Sequence, residues 1–202
     1  MKIVLMRHGA PRVRFNEKMA AADFRHWVAR YQLAGLDELS WCQQAVAVAQ
    51  ECAAIVCSDL PRSLESAARL RAGGVVYSNP LMRELEMPYC SERWSTPALP
   101  TAVWLIVFRA LWLAGYHGHV ESRREVADRV SAAAGKLIDL ALEHRSILFV
   151  GHGMINHLLA RELLARGWQG PRRPGRAHWQ YGVYESPQAL ADRSRAGESA
   201  SL

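Results

Sequence analysis

The sequence predicts an α/β protein with three layers: a mostly parallel central sheet flanked by helices on both sides, with an inserted helical lid. Three observations carry this. Short apolar runs at residues 2–6, 54–57 and 146–150 alternate with stretches of helical spacing, the pattern of strands joined by crossover helices. Each of these three runs ends at a polar or glycine residue from which a new segment departs. Residues 88–120 break the rhythm: Pro88, Pro97 and Pro100 precede an apolar, Trp-containing stretch.

Taken in order, residues 2–6 form the first strand. Phe24, Trp27, Val28 and Tyr31 recur at helical spacing, and Gly35 stops that helix. Ser40 is placed to cap a second helix with Trp41, Ala45, Val48, Ala49 and Cys52 on one face. Residues 54–57 make a buried strand. Asp59 then caps a helix whose first turn holds Pro61, where the missing N–H costs nothing. Gly73 and Gly74 break it, residues 75–77 form another strand, and 81–86 run extended. Helical spacing resumes near Glu121 with Val126, Val130, Ala133, Leu137 and Ala141. After the 146–150 strand, Ile155, Leu158, Leu159 and Leu163 share a helical face, and residues 180–185 suit a last strand. The expected organisation is one domain over 1–186 with a lid near 88–120, and a small, polar, disordered tail over 187–202.

Composition narrows the function. The 202 residues carry a formal net charge of +6, a bias that suits an anionic ligand. Arg161, Arg166, Arg172, Arg173 and Arg176 cluster late in the chain and read as solvated surface. Basic residues are not interleaved with aromatics on a recognisable module, so nucleic acid is not an expected partner. The apolar stretch over 103–116 is interrupted by Arg109 and too short to span a membrane, so no membrane contact is expected either. The first apolar run is too short for a secretory signal, which points to a cytoplasmic protein. The cysteines at 42, 52, 57 and 90 show no zinc spacing, and Cys57 reads as a buried reduced thiol. The apolar lid leaves a substrate cover and a homodimer surface as alternatives.

In parallel sheets, ligands sit beyond the carboxyl ends of the strands. Two strands end in histidine, at Arg7-His8-Gly9 and Gly151-His152-Gly153. A third leads into Ser58-Asp59-Leu60-Pro61-Arg62, and the 81–86 segment carries Glu84 and Glu86. Four segments thus bring two arginines, two histidines and an acid towards one rim. Alone, each has a bland reading: a satisfied buried imidazole, a surface guanidinium, a surface carboxylate.

This ordered set, with Arg83-Glu84-Leu85 between the second and fourth pieces, resembles the histidine phosphatase superfamily, over residues 1–165. The resemblance implies a phosphatase for small phosphate monoesters that needs no metal and no cofactor. Arg7 and Arg62 would hold the non-bridging oxygens with permanently charged forks, and His152 would add a donor. His8 would be the nucleophile, kept neutral by the neighbouring guanidinium groups, its other ring nitrogen fixed by a hydrogen bond. Gly9 would let backbone approach the phosphate. Glu84 would give and retake the proton, with Glu86 on the same face of an extended segment as its competitor. To do so Glu84 must bind a proton at working pH, through burial or the substrate's charge. A phosphoglycerate-mutase-like phosphomutase and a phospho-ligand binding module without turnover are the alternatives.

The chain departs from the family pattern after Gly9, where Ala10-Pro11-Arg12 replaces a polar residue and a hydroxyl. Arg12, Arg14 and Asn16 are the candidates to replace that phosphate contact. Met87-Pro88-Tyr89-Cys90 also stands where the family has a Gly-Trp-rich stretch. His119 and Glu121 are further pocket candidates, Glu121-Ser122 resembling a Glu-Ser pair that approaches substrate in relatives. His117, His119 and Glu121 also alternate as metal ligands can, although glycine between the histidines favours a plain loop. Ser58 and Asp59 read as structural, a helix cap explaining both.

Overall fold

The computed structural model describes residues 1–70, 75–90 and 96–187. Five strands form the main sheet: β1 (Lys2–Arg7), β3 (Ala54–Cys57), β4 (Val75–Ser78), β6 (Ser146–Gly151) and β7 (Tyr181–Glu185), in the order β4-β3-β6-β1-β7. The first four are parallel, and β7 adds to the β1 edge in antiparallel fashion. Register places Leu5 and Val56 on either side of Phe149. Strands β1 and β6 send alternate residues to opposite faces. Ile3, Leu5, Ile147 and Phe149 meet α5 (Arg123–His144) and α6 (Gly153–Ala165). Val4, Met6, Leu148 and Val150 meet α2 (Gln43–Gln50) and α3 (Pro61–Leu70). Both faces are covered, and for that reason the three inner strands are apolar along their length. This is the three-layer α/β/α arrangement the sequence predicts.

The segment expected as a lid does not stand alone. Its helix α4 (Thr101–Leu113) packs on α1 (Phe24–Leu33) through stacked Phe24 and Phe108 rings, 5.0 Å apart, with Trp27 and Trp104 in the same apolar cluster. The two-residue strands β2 (Lys18–Met19) and β5 (Leu99–Pro100) pair antiparallel, and Trp104 Nε1 donates to the Met19 carbonyl at 2.8 Å. Residues 11–33 and 96–113 are therefore built together.

Several local expectations are corrected. Ser40 does not cap α2, which begins at Gln43 after Cys42 with no side-chain cap. Its hydroxyl instead accepts from Ala10 N at 2.7 Å and Trp179 Nε1 at 2.9 Å, and Trp41 is left exposed. The 81–86 segment opens with a 3-10 turn over Pro80–Met82, capped by Asn79, before running extended. Helix α5 starts with a capping box between Ser122 and Glu125. All four cysteines are free, and burial pushes the Cys57 thiol up to about 11. Among the described residues no helix is long and apolar enough to cross a membrane. The break at Gly73 and Gly74 and the tail from residue 188 lie outside the described residues.

Candidate active site

Because β1, β3 and β6 are parallel and adjacent, their carboxyl ends open on one rim, and each delivers its polar residue there. His8 and His152 follow β1 and β6 directly, both fully buried, with ring centroids 5.0 Å apart. His8 Nδ1 lies 2.6 Å from the Gly9 carbonyl oxygen. A carbonyl only accepts, so Nδ1 carries the proton and Nε2 keeps its lone pair. Among the described residues Nε2 has no protein partner. Burial first, then the Arg62 guanidinium, with Arg7 and His178 behind it, hold His8 well below its ordinary value; the Gly9 hydrogen bond opposes them. His152 is held down in the same way, by burial first and then by His8, Arg62 and Arg7.

Arg62 sits in the first turn of α3 and is fully buried. Its guanidinium carbon lies 4.2 Å from the centre of the Tyr31 ring, and Nη1 donates to the Tyr31 carbonyl at 2.8 Å. Nε and Nη2 are left without protein partners. Arg7 donates through Nη1 to the Arg176 carbonyl, and its Nε is likewise unpartnered. Nitrogens from Arg7, His8, Arg62 and His152 therefore lie buried and unsatisfied on one rim, a costly arrangement that an anion would relieve.

Glu84 reaches the same rim. Its carboxylate accepts from Met154 N and Ile155 N, each at 3.0 Å, at the first turn of α6, and from Leu85 N at 3.0 Å. A Cβ built on Gly153 would lie 3.9 Å from both Arg7 Cζ and Glu84 Oε2, so these groups flank one point of the chain. The segment is anchored by Arg83, whose guanidinium grips Asp59 with contacts of 2.5 and 2.7 Å. Asp59 is thus a clamp between the segment carrying Glu84 and the one leading to Arg62, not a helix cap. Glu86 is exposed, and no contact ties it to the rim.

The remaining candidates have other partners or are exposed. Arg12 is exposed and pairs with Glu38 at 3.3 Å, while Arg14 and Asn16 are exposed. His119 is exposed against the Tyr89 ring, 3.7 Å between centroids. Glu121 is taken up by Arg129 in a two-pronged pair at 2.7 Å, and its carbonyl accepts from Trp112 Nε1, so it ties α4 to α5. Among the described residues no group of three or more His, Cys, Asp or Glu is arranged to hold a metal ion. Gly9 is needed for another reason than the one expected: an added Cβ would sit 2.4 Å from the Trp179 ring, 2.6 Å from Leu36 and 2.6 Å from the Ser40 hydroxyl. The glycine makes room for packing, not for a ligand.

Sequence reasoning missed four groups. Ser58 Oγ lies 2.6 Å from His152 Nε2 while accepting from Leu60 N at 3.4 Å. A hydroxyl that donates to Nε2 puts the imidazole proton on Nδ1, which is buried without a protein partner. His178, on the loop before β7, has its ring 5.6 Å from His8 and an unpartnered Nε2; burial and then Arg7 bring it down to about 4. Arg109 of α4 donates to the Leu85 carbonyl at 3.3 Å, leaves Nη1 unsatisfied and feels the Glu84 charge. Asn156, in the first turn of α6, is buried with Oδ1 unpartnered. The Ser58 signal was present in the Ser58-Asp59-Leu60-Pro61-Arg62 run; the other three carry none at the level of spacing.

The profile of the histidine phosphatase superfamily (branch 1) matches residues 3–185. The chain belongs to this superfamily. A comparison with curated proteins returned no match. Among solved structures it is similar to a mycobacterial glucosyl-3-phosphoglycerate phosphatase: 27% identity, 81% of this chain and 79% of that one, TM-score 0.55. It is also similar to a phosphoserine phosphatase from Entamoeba histolytica, at 22% identity over 94% of this chain and 98% of that one, TM-score 0.53. A third is a putative alpha-ribazole-5'-P phosphatase from Escherichia coli, at 17% identity over 81% of this chain and 79% of that one, TM-score 0.54. The last two likenesses speak for the fold alone.

Proposed function

We propose that this chain is a metal-independent phosphatase that hydrolyses small phosphate monoesters through a phosphohistidine on His8, with Glu84 moving the proton. The observation that carries the reading is the set of buried, unpartnered nitrogens on Arg7, Arg62 and His152 beside a lone-pair nitrogen of His8. The histidine phosphatase membership supports the reaction class, as does the mycobacterial relative described as a phosphatase of a sugar phosphoglycerate.

Arg7 Nε, Arg62 Nε and Nη2, and His152 Nδ1 donate to the non-bridging oxygens and offset their charge. His8 Nε2 attacks phosphorus, the P–O ester bond breaks, and the leaving alkoxide takes a proton from Glu84. Water then attacks the phosphohistidine, the P–N bond breaks, and Glu84 recovers a proton from that water. Three backbone donors, from Leu85, Met154 and Ile155, hold the Glu84 carboxylate in place at the start of α6. Four free thiols suit a reducing, cytoplasmic location.

The test is turnover of p-nitrophenyl phosphate with chelator present, in the wild type and in His8→Ala. Turnover that survives chelation and vanishes in the variant is the expected result. Turnover that needs added metal, or that persists in His8→Ala, overturns the proposal.

A further inference from the structure

Next to the rim lies a cavity of about 800 Å³, bounded by the carboxyl end of α4, the first turns of α5, one face of α6 and the 173–176 loop. Arg7 is one of its lining residues. Arg123, Arg161, Arg173 and Arg176 are also among the residues that line it. Glu162, the one carboxylate in the lining, is occupied by Arg166 at 2.9 Å. Among the described residues Arg161, Arg173 and Arg176 have no carboxylate within ion-pair distance. Arg161, Arg173 and Arg176, three of the five late arginines, are exposed as the sequence suggests and border this one hollow. Their field is felt: burial, then Arg161, Arg173 and Arg176, lower the His157 imidazole between them. The floor is different in kind, made of Trp112, Val126, Val130, Met154 and Leu158.

Two features tie this cavity to the chemistry. Arg7 reaches the carbonyl of Arg176, so the basic loop is fastened to a group of the phosphate site. Helix α6 runs from one to the other: a Cβ built on Gly153 would lie 3.9 Å from Arg7 and Glu84, while Met154, Leu158 and Arg161 follow on the same face. At 1.5 Å per residue, Gly153 and Arg161 are ~12 Å apart along the helix.

We infer that the substrate is a phosphate monoester carrying a second phosphoryl group about two helical turns from the first, with an apolar body between them. The inference rests on the phosphatase reading for the reacting end. The first phosphoryl group sits at His8, the body lies along Met154, Leu158 and Val126, and the second is held by Arg161 and Arg173. Permanently charged forks suit a phosphoryl dianion better than a neutral polar group.

The experiment compares hexane-1,6-diyl bisphosphate with hexyl phosphate, in the wild type and in an Arg161→Gln, Arg173→Gln double variant. The bisphosphate should show kcat/KM about tenfold higher, carried mainly by KM. The double variant should lower kcat/KM for the bisphosphate about tenfold more than for hexyl phosphate. Equal kcat/KM for the two esters in the wild type, or equal losses in the variant, overturns the inference. If neither ester is hydrolysed, the phosphatase reading fails on its own, and calorimetric binding of hexane-1,6-diyl bisphosphonate against hexylphosphonate decides the cavity. About tenfold tighter binding of the bisphosphonate, lost in the double variant, upholds the inference; equal affinities sink it.

Discussion

Replacing Ser58 by alanine removes a hydroxyl that lies 2.6 Å from His152 Nε2 in a place both residues share without solvent. The imidazole then has no partner on Nε2, and nothing keeps its proton on Nδ1, the nitrogen on the phosphate side. A buried polar group left unsatisfied costs about 1–3 kcal/mol. The long contact from Leu60 N, at 3.4 Å, adds little to that. At about 1.4 kcal/mol per decade, losing the orientation of one transition-state donor corresponds to a roughly 10- to 100-fold fall in kcat. The assay pairs kcat on p-nitrophenyl phosphate with nitrogen-resolved NMR of the His152 ring, which reads the tautomer directly. The expected result is a loss of kcat together with a shift of the proton towards Nε2, and with Tm lowered by a few degrees. Wild-type kcat, or an unchanged tautomer in the variant, would refute the reasoning, because either means that Ser58 does not set the donor.

Other outcomes follow from the same geometry. Glu84→Gln should slow the first, phosphohistidine-forming step of alkyl phosphates about 10²- to 10⁴-fold while sparing the single-turnover release of p-nitrophenolate, whose phenolate needs little proton help; equal losses of that first step on both esters would remove Glu84 from the leaving-group proton path. His8 and His152 are depressed from 6.5 in the fold, so the unfolded chain binds protons below that value that the folded chain refuses. Stability should therefore fall as pH drops below 6.5, by at most about 1.4 kcal/mol per pH unit for each. Partly solvated His178 adds a smaller share down to about 4. Denaturant midpoints that stay flat over this window would contradict the burial of neutral imidazoles. Gly9→Ala forces a Cβ to 2.4 Å from the Trp179 ring and should destabilise by about 1–3 kcal/mol, roughly 3 °C of Tm for each kcal/mol. An unchanged melting curve would show that the Trp179 loop yields freely.

Much of the fold was legible because parallel strands buried on both faces must be apolar throughout, and the runs at 2–6, 54–57 and 146–150 are. The ends of those runs then fix where His8, Ser58 and His152 stand, since a strand's last residue cannot leave the rim. Ser40 misled because its type suits a cap and spacing cannot show a distant claimant: Trp179 lies 139 residues away. The lid was half seen for the same reason. Phe24 and Phe108 each mark a helix face, but only folding shows that those faces meet. Glu121 resembled a pocket residue until Arg129, two turns along α5, closed on it. The late arginines are exposed as expected, but that Arg161, Arg173 and Arg176 border one hollow between three helices and a loop leaves no periodic trace.

What the sequence determined alone was the order of strands and helices and the delivery of Arg7, His8, Arg62, Glu84 and His152 to one end of a sheet. These depend on local periodicity and on chain direction, both written in neighbouring residues. Only the tertiary structure decided which nitrogen of His8 is free, which hydroxyl steers His152, and which arginines share a cavity. Those are matters of distance between segments far apart in the chain, and hydrogen bonding and electrostatic fields act through space rather than along the backbone.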